Sequence, residues 1–363
     1  MNRNRGFALA TAAVVAVLVL VPAPTAAQES GALIGLRQWT DSGGAYRTVW
    51  IAREGGAVRL LASGPDLIVP RRSGFWRVCL TSGHGRGEVG LAEWDSLVAA
   101  PATADREKCA AAGDTTSASD DEGGSCRSSE RLEILFLGTD AVSLERHEES
   151  DCGAHSSGGT DVSLAALDDG ATVDVARQFT PARRAALMAA TLRAAQREFA
   201  DLGTADTLAA DPDADNPDAD NPDGGPRFAV QREWGVERGA GRWQMVGNAY
   251  CSPYVGCGDG SRRFPIPAFT PPAQLTGRAE LTPSLRTIRA AWPRVTDAVS
   301  SPRHDLVVAV SGDSLLVFLP HEGRLGEPAL RLPVSGRIVM TQWGLGRFVA
   351  KWTAELIPLL GAQ

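Results

Sequence analysis

Lysine is nearly missing from this chain. It occurs only at Lys108 and Lys351, and every other basic residue is arginine. The formal net charge is −7, so there is no cationic surplus to neutralise phosphates, and no basic stripe breaks the pattern. That removes the electrostatic footprint of a nucleic-acid binder. The chain also lacks the Cys-x-x-Cys pairs that mark a structural zinc site. Beyond the first residues there is no long apolar run, so nothing after residue 27 reads as a membrane anchor.

The one long apolar run lies at the start. Arg3 and Arg5 give a positive leader, Phe7 to Val21 is apolar or small apart from Thr11, and Pro22 and Pro24 break any helix. Thr25-Ala26-Ala27 then supplies small residues for a signal peptidase. Charge, apolar run and small-residue site in this order form a secretory signal over residues 1–27, cleaved after Ala27. A spanning helix wants about 20 apolar residues, more than this run provides. No cysteine follows the site, which gives a lipid anchor nothing to attach to. The expected location is periplasmic or extracellular, without a transmembrane anchor once the leader is gone.

Loss of Arg3 and Arg5 takes the formal charge to −9, and eight aspartates between Asp201 and Asp223 account for most of it. At 44% hydrophobic and 22% charged residues, the remainder has ordinary globular composition. All six cysteines lie in the exported part: Cys79, Cys109, Cys126, Cys152, Cys251 and Cys257. An even count in an oxidising compartment points to disulfides. The sequence leaves the pairing of the first four open. Locality favours Cys251 with Cys257, across a short Pro- and Gly-containing loop.

Short strands with tight turns dominate the pattern. Val49 to Ala52, Ala57 to Leu61, Leu67 to Pro70 and Phe75 to Leu80 alternate with Gly-, Pro- and Asp-rich turns, a four-strand meander. Hairpins are expected at 132–137 with 141–146, at 306–310 with 314–319, and at 338–343 with 347–352. Thr180 and Pro181 open a helix over 180–202, with Leu187, Met188, Leu192, Ala195, Phe199 and Leu202 on its apolar face. Residues 105–129, rich in Ala, Ser, Gly and Asp, read as a disordered loop. Residues 203–226, with Asp-Ala-Asp-Asn-Pro twice over, read as an acidic linker. The expected organisation is therefore a β segment at 33–176, the helix, the linker and a second β segment at 227–357 that completes the same β domain.

Ser301-Pro302-Arg303-His304-Asp305 leads into Leu306 to Val310, then a Gly312-Asp313 turn, Leu315 to Phe318, and Gly323 to Pro328. Over residues 301–332 this resembles one blade of the bacterial β-propeller superfamily. The resemblance implies a mainly β fold, propeller-like, with one inserted α-helix. The alternative from the same strand grammar is a β-sandwich or barrel.

Several motifs point to chemistry. Gly312-Asp313-Ser314-Leu315 is similar to the signature of the GDSL esterases and lipases, which also need a downstream Asp-x-x-His. The only later histidine is His321, with no aspartate three residues before it, so a hairpin turn is the simpler reading. Asp211, Asp213, Asp215, Asp218 and Asp220 space carboxylates as a calcium loop does, and their phrasing is similar to thrombospondin-type repeats. The glycine and glutamate of an EF-hand are absent. His147, Glu148, Glu149, Asp151, Cys152 and His155 gather possible metal ligands without a recognised spacing. Gly83-His84-Gly85-Arg86-Gly87 does not match a phosphate loop and reads as a connection. Phe75, Trp76, Trp343 and Trp352 are expected on strands, where one ring face is usually core, with an exposed aromatic binding surface as the alternative.

No catalytic constellation emerges, and no cofactor is expected apart from a conceivable calcium ion. The function expected is that of an exported non-catalytic β scaffold that binds a protein or another cell-envelope component. The competing classes are a hydrolase with dispersed catalytic residues and a calcium-dependent adhesive or structural protein.

Overall fold

A computed structural model of the protein describes residues 29–40, 43–86, 90–103, 109, 126–152, 156–199, 228–251, 261–277, 280–334 and 336–363. Among the described residues, alternating apolar segments and Gly or Asp turns give 17 strands in four sheets. Sheet 1 holds β1 (Ser30–Thr40), β2 (Gly43–Glu54) and β3 (Ala57–Pro65). Sheet 2 holds β4 (Leu67–Arg71), β5 (Gly74–Arg86), β6 (Gly90–Pro101), β7 (Cys126–Leu137), β8 (Ala141–Asp151) and β9 (Ser156–Ala166). Sheet 3 holds β10 (Phe228–Gly239), β11 (Arg242–Cys251) and β12 (Ser261–Ile266). Sheet 4 holds β13 (Val295–Ser300), β14 (Val307–Ser311), β15 (Ser314–Phe318) and β16 (Leu330–Leu332). The last strand, β17 (Arg337–Leu345), returns to pair antiparallel with β1. The sheets follow one another along the chain, and β17 closes the circle. The result is a ring resembling a four-bladed β-propeller, as the blade-like segment implied.

Apolar layers cement three of the four seams in this ring. Leu33 and Trp50 of sheet 1 meet Leu67, Ile134 and Val142 of sheet 2. Phe136 and Leu164 of sheet 2 meet Trp234, Val236 and Met245 of sheet 3. Ile34 and Leu36 of sheet 1 meet Val308, Val310 and Val317 of sheet 4. Because both faces of β1 are covered, Ala32, Leu33, Ile34 and Leu36 are all fully buried, and the strand reads as a continuous apolar run instead of alternating. No such apolar layer joins sheets 3 and 4 among the described residues.

The helix opened by Thr180 is α1 (Pro181–Glu198), and the Thr180 hydroxyl accepts from the Arg183 N–H as an N-cap should. Its buried face is Leu187, Ala190, Thr191, Ala194 and Ala195, continued by Phe199. Small residues let it lie close on sheet 3, and Leu192 is only half-buried. Three further helices follow: α2 (Ala273–Thr276), α3 (Leu285–Ala291) and α4 (Arg347–Leu360).

Three expectations about local structure need correction. The 347–352 segment is not the second arm of a hairpin but the first turns of α4. Gly346, at φ 57°, ends the strand, and Val349, Leu356 and Leu360 then bury one helical stripe on sheet 1. Trp352 is thus a helix residue, its ring 5.7 Å from that of Trp50. Residues 126–129, placed in the 105–129 loop, begin β7, because Cys126 is fixed by a disulfide to Cys152 and its strand pairs with β6. The Gly83 to Arg86 stretch is strand β5, not a loose connection; Gly83 faces Trp94, and a Cβ there would sit 3.0 Å from the indole.

Cys79 pairs with Cys109 across 30 positions, and Cys126 with Cys152 across 26. The expected signal segment 1–27, the expected acidic linker 203–226 and Cys257 lie outside the described residues, so the pairing of Cys251 with Cys257 does too. Among the described residues no helix is long and apolar enough to cross a membrane.

Candidate functional site

Where sheets meet at their polar ends, charges replace apolar side chains. Arg37 on β1 pairs with Glu133 on β7, both nearly buried. Glu133 stands directly across the ladder from Glu145 on β8. Glu145 pairs with Arg263 on β12 at 2.9 Å, and Arg263 also reaches Glu237 on β10. Glu237 in turn holds Arg337 on β17 and accepts from the Gln244 amide at 2.9 Å. Arg238, next along β10, pairs with Asp297 on β13 at 2.7 Å. Four guanidinium groups thus meet four carboxylates, and most of the links cross from one sheet to another. Opposite charges in balance allow burial that neither sign could bear alone.

Electrostatics follow from this packing. Burial lowers the pKa of Arg37. Burial alone would raise that of Glu145, but the hydrogen bond from His147 and the charge of Arg263 outweigh it, and the net shift is downward. Burial raises the Tyr46 phenol, which accepts the Ile134 N–H at 2.7 Å.

Donor atoms of Glu133, Glu145 and His147 lie within 4.8 Å of one another, a possible metal set. The His147 Nε2 is 3.6 Å from Glu145, and its Nδ1 is 3.3 Å from the Thr160 hydroxyl. Both carboxylates already hold arginines, so a cation there would share each of them with a guanidinium group. The sequence cluster 147–155 is distributed differently from a loop. His147, Glu148, Glu149 and Asp151 are on β8, where alternate side chains take opposite faces, and Cys152 is spent in a disulfide. His155 lies outside the described residues, as do Asp211, Asp213, Asp215, Asp218 and Asp220. Ser314 opens β15 at the Gly312-Asp313 turn and donates to Asp313 at 3.1 Å, while His321 is exposed in the next turn beside Glu322.

The apolar layer missing between sheets 3 and 4 leaves room there. Two clefts flank the Arg238–Asp297 pair. The first, about 270 Å³, is bordered by Trp243 and Arg238 of sheet 3, Val299 and Ser300 of sheet 4, Thr341 and Trp343 of β17, and the α2 segment. The second, about 490 Å³, has Trp39, Gly239, Thr296 and Arg337 around it. Arg238 touches both, its guanidinium spanning Asp297 and the Ala298 carbonyl. A third groove, about 640 Å³, runs over sheets 2 and 3 beside Trp94, Glu148, Asp161 and Tyr250. The first cleft is the more enclosed of the two at the seam and draws side chains from every sheet, Thr139 supplying that of sheet 2. Clefts at the junction of structural units are where small ligands bind most often.

Sequence reasoning missed this site. Trp343 is on a strand with one ring face against the core, as expected, but nothing in the sequence placed its other side at a cleft wall. The others come from short runs far apart in sequence, 274–277, 299–302 and 341–342, with Thr139, Arg238, Trp243 and Glu280 apart from them. A usable signal was the turn Ser301 to Asp305, whose Ser301 hydroxyl accepts the Asp305 and Leu306 N–H groups and shapes the neighbouring wall.

No family model matches the chain, and no curated protein matches it. A solved structure of a DUF3298 family protein from Pseudomonas aeruginosa aligns with 53% of this chain and 90% of its own, at 15% identity and a TM-score of 0.28. A likeness at that score carries no argument about fold or function.

Proposed function

We propose that this protein is an exported, non-catalytic binding protein whose β ring holds a small cell-envelope component in the cleft between sheets 3 and 4. One observation carries the reading: three seams of the ring are filled by apolar layers, and the fourth is left as clefts around a neutralised ion pair. The buried and half-buried titratable groups at the seam are engaged, and Glu280 at the rim is exposed to solvent. Asp297 holds Arg238 and the Gly241 N–H, and Glu237 holds two arginines. Groups so paired lack the free acid or base that proton transfer requires. The two disulfides fit an oxidising compartment.

The test is thermal unfolding in the presence of the dialysable fraction of an envelope extract. That fraction should raise the midpoint of the native protein, as any ligand specific to the folded state does. It should not raise that of Thr341→Trp, in which an indole fills the cleft. Equal response of the two proteins rejects the cleft. Covalent labelling of Ser314 by a fluorophosphonate, lost in Ser314→Ala, would reject the non-catalytic reading.

A further inference from the structure

We infer that the first cleft takes a neutral, hydroxyl-rich ligand of single-sugar size, a monosaccharide or a cyclic polyol. The inference rests on the binding reading above and specifies its ligand. Size comes first. The cleft measures about 270 Å³, and sites for drug-sized ligands run from about 300 to 1,000 Å³. A single six-membered ring suits it, and an extended peptide does not.

Charge narrows the chemistry. Among the described residues Arg238 is the cation at the cleft wall, with 2% of its side chain exposed, and Asp297 and the Ala298 carbonyl already engage it. A phosphate or carboxylate ligand would compete for that guanidinium with Asp297, already seated on it at 2.7 Å, so the cleft wall offers an anion little uncompensated charge. Glu280 is the one carboxylate at the rim, and it is exposed to solvent, where a single contact with a cation is worth little.

Hydrogen bonding points to hydroxyl groups. The Thr341 hydroxyl is buried without a hydrogen-bond partner. Such an orphan costs about 1–3 kcal/mol unless something supplies the bond. A hydroxyl both donates and accepts, so it is best met by another hydroxyl. By contrast the Ser300 hydroxyl is already used, accepting from the Thr282 N–H and donating to the Glu280 carbonyl. The partnerless group is therefore a property of Thr341 and not of the whole wall. Trp343 lies two positions along β17, hence on the same face as Thr341. Its half-buried indole offers an apolar plate beside a polar hook. A sugar ring has both parts, C–H groups for the plate and hydroxyl groups for the hook.

The experiment is isothermal titration of the full exported chain with glucose, galactose, mannose, N-acetylglucosamine and myo-inositol, alongside arginine and inorganic phosphate. At least one of the neutral ligands should bind saturably. Thr341→Val should weaken that binding about 5- to 10-fold, the value of one hydrogen bond. The same variant, tested without ligand, should unfold at the same temperature or higher, because the orphan hydroxyl is gone. Trp39→Ala, in the second cleft, should leave the affinity unchanged. Binding of arginine or phosphate in place of the neutral ligands overturns the inference, as does sugar binding indifferent to Thr341→Val. If the envelope fraction stabilises the native protein and no neutral ligand binds, the ligand class is wrong and the cleft stands. If neither acts, both fail.

Discussion

Single residues show why the site was hidden. Arg37, Glu133, Glu145, Glu237, Arg263, Asp297 and Arg337 are spread over three hundred positions, and each sits in a strand where a polar residue ordinarily marks the solvent face. Nothing in the local pattern distinguishes Glu133, 7% exposed, from a surface glutamate. Only closure of the ring brings them together. The network also makes stability depend on acidity. The pKa of Glu145 in the folded protein lies below its ordinary value of 4.5. The unfolded chain therefore takes up the proton first, and the stability contributed by Glu145 is complete above the unfolded pKa and lost as pH falls through the folded one. Urea midpoints measured between about pH 3 and pH 7 should fall on the acid side, with a shallower fall in Glu145→Gln. That variant should also be less stable at neutral pH, since Arg263 loses one of its two carboxylates. An unchanged acid slope would show that Glu145 does not titrate with folding.

At the scale of elements, strand grammar was largely legible and its grouping was not. The four expected strands from Val49 to Leu80 exist, yet they are not one meander. β2 and β3 belong to sheet 1, and β4 and β5 to sheet 2. Asp66, at φ 67°, turns the chain between them, and its carboxylate holds Arg77 at 2.7 Å. Turn residues look alike whether they link partners or separate sheets. The 347–352 segment failed for another reason. Phe-Val-Ala-Lys-Trp reads as β-prone when taken alone, and the helical stripe becomes visible only with Leu356 and Leu360 included. That stripe anchors α4 to the ring. Leu356 is fully buried in the layer shared by sheets 1 and 2, and the Trp50 indole donates to Thr353 at 2.9 Å. Leu356→Ala should cost about 2–5 kcal/mol in chemical denaturation, the range for emptying a packed leucine site. A loss below about 0.5 kcal/mol, the size of an ordinary surface change, would mean that α4 only leans on the ring.

For the whole molecule the question is what keeps a ring of sheets closed. A closed ring removes most sheet edges, but it needs a fastener where the chain starts and stops. Here β17 is that fastener, pairing along β1 from Ser30–Leu345 to Arg37–Arg337. The flanking segments are tied to the same sheet, with the Gly346 N–H donating to the Glu29 carbonyl and the Ser63 N–H to the Gly361 carbonyl. β17 also carries Arg337 into the charge network and Thr341 and Trp343 into the cleft. Closure and the candidate site thus depend on one strand. A chain ending at residue 334 would leave the β1 edge bare, expose Leu33, Ile34 and Trp50, and remove the cover that α4 gives. It should lose cooperative unfolding, with early unfolding of sheet 1 separating from the rest. A peptide spanning residues 335–363, added in trans, should pair with β1 and restore a single transition at higher temperature. Calorimetry of the truncated chain, with and without the peptide, decides the point. A truncated chain that already unfolds in one transition at the native temperature would show that the sheets hold their places without the fastener.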